Sequence, residues 1–219
     1  MIPTIITDLR PQLTSSVFNQ GQRGTCLAVA TSQAHQAAQK SEPLAPDALW
    51  LTIRGTGPSG PDGLWPTEVA AAVESPGQLP LATMPLETSP TVDLRWPPGV
   101  AAEPWYRARM DIVRGTQEVR RAVAAESIVV LVLEVTDAFG FLGTSDGVVD
   151  ADAVRKPFYP MHAVICVGSG RSASNEELFL IRNSWGAGWA GGGDGWVTAG
   201  FLDAHCFDVM QVAETFPAP

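Results

Sequence analysis

Positive charge is scarce in this chain: 14 Lys and Arg stand against 23 Asp and Glu, a formal net charge of −9 over 219 residues. No basic run offsets that balance, so electrostatic affinity for nucleic acid or an anionic membrane has no source, and neither is expected as a partner. No apolar stretch approaches the ~20 residues of a membrane span, and Met1-Ile2-Pro3-Thr4 lacks the basic start and long apolar core of a secretion signal. A cytoplasmic location is the resulting expectation. Cysteine is also rare. Cys26, Cys166 and Cys206 are an odd number without paired spacing, whereas secreted domains commonly carry a bridged framework. No Cys-x-x-Cys or His-x-x-x-His spacing exists, so His205 and Cys206 are not read as zinc ligands with His162 and Cys166.

Nucleotide cradles are missing as well. Gly168-Ser169-Gly170 lacks the third glycine and following helix of a dinucleotide fingerprint, and the stretch from Gly186 to Gly195 holds no Lys-Ser/Thr pair. A hairpin turn and a glycine-rich loop are the readings, with no internal repeat, no metal and no cofactor expected.

What is present is an ordinary globular balance, 45% hydrophobic and 17% charged, with length for one domain or for two lobes sharing a cleft. Thr25 to Lys40 is Ala-rich without Gly or Pro and predicts a helix with Cys26 in its first turn. Pro43 and Pro46 end it, 47–53 allows a short second helix, and Pro66 opens a third through Val73. From Gly77 to Pro104 the spacing of Pro80, Pro85, Pro90, Pro97 and Pro98 prevents any long regular element, which suits a crossing between lobes. The second half reads as a charged helix over 116–126, a buried strand over 128–133, strands following His162 and Glu177, and another over 195–198. Cys166 lies in an apolar run and reads as a packed thiol. His35, mid-helix in a polar pattern, is expected to face solvent or a satisfied contact.

Three islands carry chemistry: Asn19-Gln20-Gly21-Gln22-Arg23-Gly24-Thr25-Cys26, then Met161-His162-Ala163-Val164, then Arg182-Asn183-Ser184-Trp185-Gly186. Only a thiolate is a fast nucleophile, so a catalytic cysteine needs an imidazole to hold the proton and a third group to orient that imidazole. Cys26, His162 and Asn183 supply one of each, and the positive end of the helix favours a thiolate at Cys26. Each residue alone is more often structural; the set in this order is not. His162 follows Cys26 by 136 residues and Asn183 by 157, against about 130 to 150 for enzymes of this chemistry. The polar turn Ser169 to Asn175 can absorb the excess.

The order and wording resemble the papain-like cysteine peptidases, whose signature is a Gln, then Gly-x-Cys-Gly-Ser-Cys-Trp, later His-Ala, later Asn-Ser-Trp-Gly; the Gln to Cys offset of six residues agrees. The resemblance implies an α+β fold of two lobes with the cleft between them. A helical left lobe over about 20–104 would carry the cysteine, and a β-rich, barrel-like right lobe over about 105–212 the histidine. An N-terminal segment, 1–19, would cross to the right lobe and 213–219 would form a tail. It further implies a cysteine endopeptidase acting on a peptide or protein substrate, with Cys26 attacking, His162 as acid and base, Asn183 orienting it, Gln20 in the oxyanion hole and Trp185 shielding the His–Asn bond. Gly63 would pair with substrate backbone, and Leu64, Trp65, Leu131 and Ala163 would line an apolar side-chain pocket. The family's half-cystine three residues before the nucleophile is Arg23 here, and its partner region near Gly60 to Gly63 has no cysteine. An intracellular, bacterial-type member without pro-segment or disulfides is therefore expected, a monomer restrained by narrow specificity or a regulatory protein partner. Leu27 stands for the usual aromatic after the nucleophile and Met161 for a small or polar residue before the histidine. Those departures keep two alternatives open: a catalytically silent peptide-binding module on the same fold, and an acyl-transferase or deamidase with the same chemistry.

Overall fold

The computed structural model describes residues 3–58, 63–140, 148–150 and 161–217. In chain order the elements are β1 (Thr4–Asp8), α1 (Cys26–Gln39), α2 (Pro46–Arg54), β2 (Gly57–Pro58), α3 (Pro66–Glu74), β3 (Asp93–Leu94), β4 (Arg107–Val113), α4 (Thr116–Ala124), β5 (Val129–Glu134), α5 (Asp137–Gly140), β6 (Val148–Val149), β7 (Met161–Arg171), β8 (Glu177–Arg182), β9 (Asp194–Thr198), α6 (Ala199–His205) and β10 (Cys206–Phe216). Helices dominate the first half and strands the second. This is the α+β arrangement that the resemblance implies, with helices set against one large mixed sheet.

Among the described residues that sheet has eight strands in the order β4-β10-β5-β7-β8-β9-β6, with β1 pairing on β7. Neighbours run antiparallel except β6 and β9. β5 is apolar from Val129 to Leu133 because both of its faces are covered, with Glu134 at its end. Val130 and Val132 join a core with Leu27, Ala30 and Ala34 of α1 and Val69 and Val73 of α3. Val129, Leu131 and Leu133 join a second core with α4, Phe139, Phe201 and Leu202. A third cluster, around Ala48, Trp50, Leu79 and Met84, stiffens the helical half.

The helices fall within two residues of the sequence expectation, and 77–104 contains only the two-residue β3 and a 3-10 turn at Val100–Ala102. The structure differs elsewhere. Residues 213–216, read as tail, continue β10 to Phe216, where Gln39 Nε2 donates to the Phe216 carbonyl at 3.2 Å. β1, β4 and α6 were not anticipated, although β1 does carry the N-terminal segment onto the strand-rich half. His35 is 0% exposed, so the solvent option fails; its Nδ1 meets Gln78 Oε1 at 2.8 Å. Cys166 is buried as expected. The expected turn from Ser169 begins later: Ser169 to Arg171 belong to β7, and the turn between β7 and β8 spans 172–176.

Candidate active site

α1 starts at Cys26 itself, so the thiol stands among N–H groups that have no partner within the helix. β7 delivers His162 at its second residue, on the edge next to β5. β8 ends at Arg182, placing Asn183 immediately after the strand. A cleft of about 320 Å³ is lined by Gln20, Cys26, Gly63, Val135, His162 and Trp185.

His162 Nε2 and Asn183 Oδ1 are 2.7 Å apart. The same Oδ1 accepts the Ser184 N–H at 2.7 Å. A backbone N–H can only donate, so the amide orientation is fixed, Nε2 must carry the hydrogen, and Nδ1 is left as the basic nitrogen. Both side chains are nearly water-free, His162 at 5% exposure and Asn183 at 0%. Trp185 packs on the imidazole with ring centroids 4.7 Å apart, and Phe139 packs edge-on against both rings, 6.1 Å from the imidazole and 5.8 Å from Trp185.

Gln20 is held from both lobes. Its backbone N–H donates to Ser184 O at 2.8 Å, and Gly186 N–H donates to Phe18 O at 2.9 Å. Ser184 Oγ donates to Gln20 Oε1, and Gln20 Nε2 donates to Arg23 O at 2.6 Å. One amide hydrogen of Gln20 is thereby engaged and the second remains for the cleft.

Burial pushes the Cys26 thiol up, opposed by backbone N–H groups of Ala163, Leu27 and Cys26. It pushes His162 down to about 4, opposed by the bond to Asn183. Taken singly, each group is held neutral by desolvation. A negative charge on sulfur therefore depends on a nearby positive one.

Residues 103–207 match the sequence profile of the papain family cysteine proteases. Ananain of Ananas comosus is 47% identical over 32 residues, a stretch that spans 15% of this chain and only 9% of ananain. Among solved structures, the ragweed pollen cysteine protease Amb a 11 in its proform superposes with a TM-score of 0.76 at 20% identity, over 96% of this chain and 66% of that one. The bromelain protease of Ananas comosus in complex with the E64 inhibitor gives 0.71 at 20% identity, over 96% and 99%. The second half of the chain thus matches the papain family cysteine protease profile, and the chain shares the fold of these solved cysteine proteases. These relatives are plant proteins, which lends nothing to the expected bacterial-type, cytoplasmic assignment.

The papain-like cleft gathers Gln20, Cys26, His162, Gly63 and Trp185, with Asn183 directly behind His162. The expected side-chain pocket is redistributed. Leu131 is 0% exposed and points into the core on the far face of β5. Val132, paired across the ladder with Ala163, lies with Val130 on the face of β5 shared with Leu27, Cys26 and Leu64. Trp65 is 69% exposed and stands outward at the rim instead of walling a pocket. The Gly63 carbonyl already accepts from Arg54 Nη2 at 2.9 Å. Met161 lies in the cleft and is half-exposed, whereas Leu27 is buried against the sheet.

Three contributors escaped the sequence reading: Phe139, Val135 and Ser184. Ser184 sits inside the quoted Asn-Ser-Trp-Gly island, so its hydroxyl was available as a signal; Val135 follows directly on β5 and Phe139 lies in the four-residue α5, with no pattern to mark either. Among the described residues no group of three His, Cys, Asp or Glu is arranged to hold a metal ion. Cys26, Cys166 and Cys206 are all free thiols.

Proposed function

We propose that this protein is a cysteine endopeptidase in which Cys26 and His162 react as a thiolate–imidazolium pair. The observation that carries the reading is the locked imidazole: Nε2 committed to Asn183 at 2.7 Å in the cleft that Cys26 lines. Nδ1 takes the thiol proton. The sulfur lone pair forms a C–S bond to the scissile carbonyl, and the C=O π pair moves onto oxygen, stabilised by the Cys26 N–H and the second amide hydrogen of Gln20. Collapse expels the amine as C–N breaks, and His162 gives it the proton. Water then adds to the thioester carbonyl while His162 takes a proton, and the C–S bond breaks, returning the thiol. Asn183 is sufficient as the neutral orienting group because the sulfur supplies the counter-charge to the imidazolium.

For the substrate, Leu64, Val132 and Ala163 lie together at the apolar junction beside Cys26, which favours peptides with an apolar residue next to the cleavage site. Bromelain is known in complex with E64, and the same class of epoxysuccinyl thiol alkylator is the appropriate probe here. It should label Cys26 far faster than Cys166 or Cys206, and Cys26→Ala should abolish hydrolysis across a diverse peptide library. Equal labelling of the three thiols in folded protein, or cleavage that survives Cys26→Ala, would overturn the reading. Binding without cleavage, or product masses showing transfer to amines or loss of ammonia, would replace it with one of the two alternatives.

A further inference from the structure

The turn that carries Gln20 rests on two buried charges. Arg23 is 1% exposed and Asp47, in the first turn of α2, is 0% exposed. Arg23 Nη1 donates to Asp47 Oδ1 at 2.7 Å. The same nitrogen donates to the carbonyl of Glu87, and Asp47 Oδ2 accepts the Glu87 N–H at 2.8 Å. The pair therefore grips both backbone polar groups of one residue in the proline-rich traverse. Trp50 lies against the guanidinium, its ring centroid 5.9 Å away.

Arg23 also faces the cleft through its backbone. Its carbonyl accepts Gln20 Nε2 at 2.6 Å. Gly21, at φ +62°, completes the sandwich: a Cβ there would meet Thr88 O at 2.3 Å, so the 87–88 strap presses directly on the turn. Glycine is required at that contact by both its conformation and its lack of a side chain.

Removing two charges from water is costly, and an apolar pair of similar volume commonly fills such a site as well or better. What the ion pair adds is direction. It fixes the Arg23 side chain on one side and, through the strap, the whole turn on the other.

We propose that the Arg23–Asp47 ion pair is a positioning device for Gln20, aiming its amide at the oxyanion through the Arg23 carbonyl and fastening the 87–88 strap to the turn without a disulfide. The inference rests on the reading of Gln20 as an oxyanion donor.

Two reactions of Cys26 separate this role from general support of the fold. Peptide hydrolysis passes through an oxyanion; alkylation by iodoacetamide displaces iodide at a saturated carbon and does not. Asp47→Asn alone strands a buried guanidinium, so the Arg23→Met/Asp47→Leu double variant is the second arm, expected to fold because no charge is left uncompensated. In both proteins kcat should fall by about 10- to 100-fold, the range for a misplaced catalytic contact, while KM stays within about threefold and the alkylation rate within about twofold. Added to Gln20→Ala, the double variant should cost little more, because both changes remove one contact. Unchanged kcat in the folded double variant, equal slowing of alkylation, or full additivity with Gln20→Ala would each overturn the proposal. A parent protein that cleaves no peptide would overturn the peptidase reading instead. In that event the Gln20 side-chain amide resonances decide the positioning role: shifted or broadened in the double variant supports it, and unmoved overturns it.

Discussion

At Cys26 and His162, burial acts in opposite directions on pKa but toward the same outcome, a neutral thiol beside an imidazole pushed down to about 4. A reactive ion pair must then draw on the mutual attraction of the two groups and on the N–H donors at the start of α1. Deleting one partner isolates the burial effect. In Cys26→Ala, His162 should titrate near 4, whereas in the parent it should keep its proton to a pH at least about two units higher. Histidine NMR titration of both proteins measures this, and superimposable curves would remove the support for a thiolate–imidazolium pair. The stability consequence follows the same sign. In Cys26→Ala the folded-state value lies below the 6.5 of unfolded histidine, so the contribution is present above pH 6.5 and is lost as pH falls toward about 4. Arg23 takes no part in this titration. Its charge is spent on Asp47, and it is not among the groups shifting the thiol.

The loop before α3 is held by a clasp between elements. Arg54, at the end of α2, donates to both carboxylate oxygens of Glu68 at 2.9 and 2.8 Å and to Gly63 O at 2.9 Å. Glu68 in turn accepts the Trp65 N–H at 3.0 Å, satisfying one of the free donors at the start of α3. Exposed pairs of this kind are worth under about 1 kcal/mol, so the expected effect is modest and confined to binding. Glu68→Gln should raise KM for an apolar-side-chain peptide by about two- to fivefold and leave kcat within about twofold; a fall in kcat at constant KM would show that the clasp acts on chemistry instead. Elements of this lobe were legible because prolines punctuate them and α1 has uniform helix formers. β4 and β10 were not read: in β4 the charged Arg107, Arg109 and Asp111 alternate with Ala108, Met110 and Ile112, the period of a half-buried strand, and that signal was passed over, while in β10 a register shift between Val212 and Glu214 interrupts the pairing. The Leu131 assignment failed for a different reason. When both faces of a strand are buried, every position is apolar, and sequence cannot tell which parity faces the cleft. The proposed catalytic set could be picked out because Cys26, His162 and Asn183 sit in three motif islands in a family-like order; Val132 and Phe139 are marked only by packing.

Across the whole molecule, free thiols take the place of cross-links, and they leave a signature at high pH. Cys166 is 0% exposed, and burial pushes its thiol up to about 12 from the ordinary 9.0. Cys206, partly exposed, is pushed to about 12 first by burial and then by Asp208. A raised folded-state value means that the neutral thiol is favoured by folding, so this stability is complete below pH 9 and is lost as pH rises toward 12, where the unfolded chain ionises and the folded one does not. At about 1.4 kcal/mol per unit, Cys166 alone should cost roughly 3 kcal/mol by pH 11. Urea midpoints measured from pH 8 to 11 should therefore decline, with dithiothreitol making no difference at any point. Cys166→Ala should start lower, by about 1 kcal/mol for the lost packing, and decline less steeply. Parallel curves for the two proteins would assign the alkaline loss to other groups, and a midpoint that drops on adding dithiothreitol would contradict the absence of a bridge.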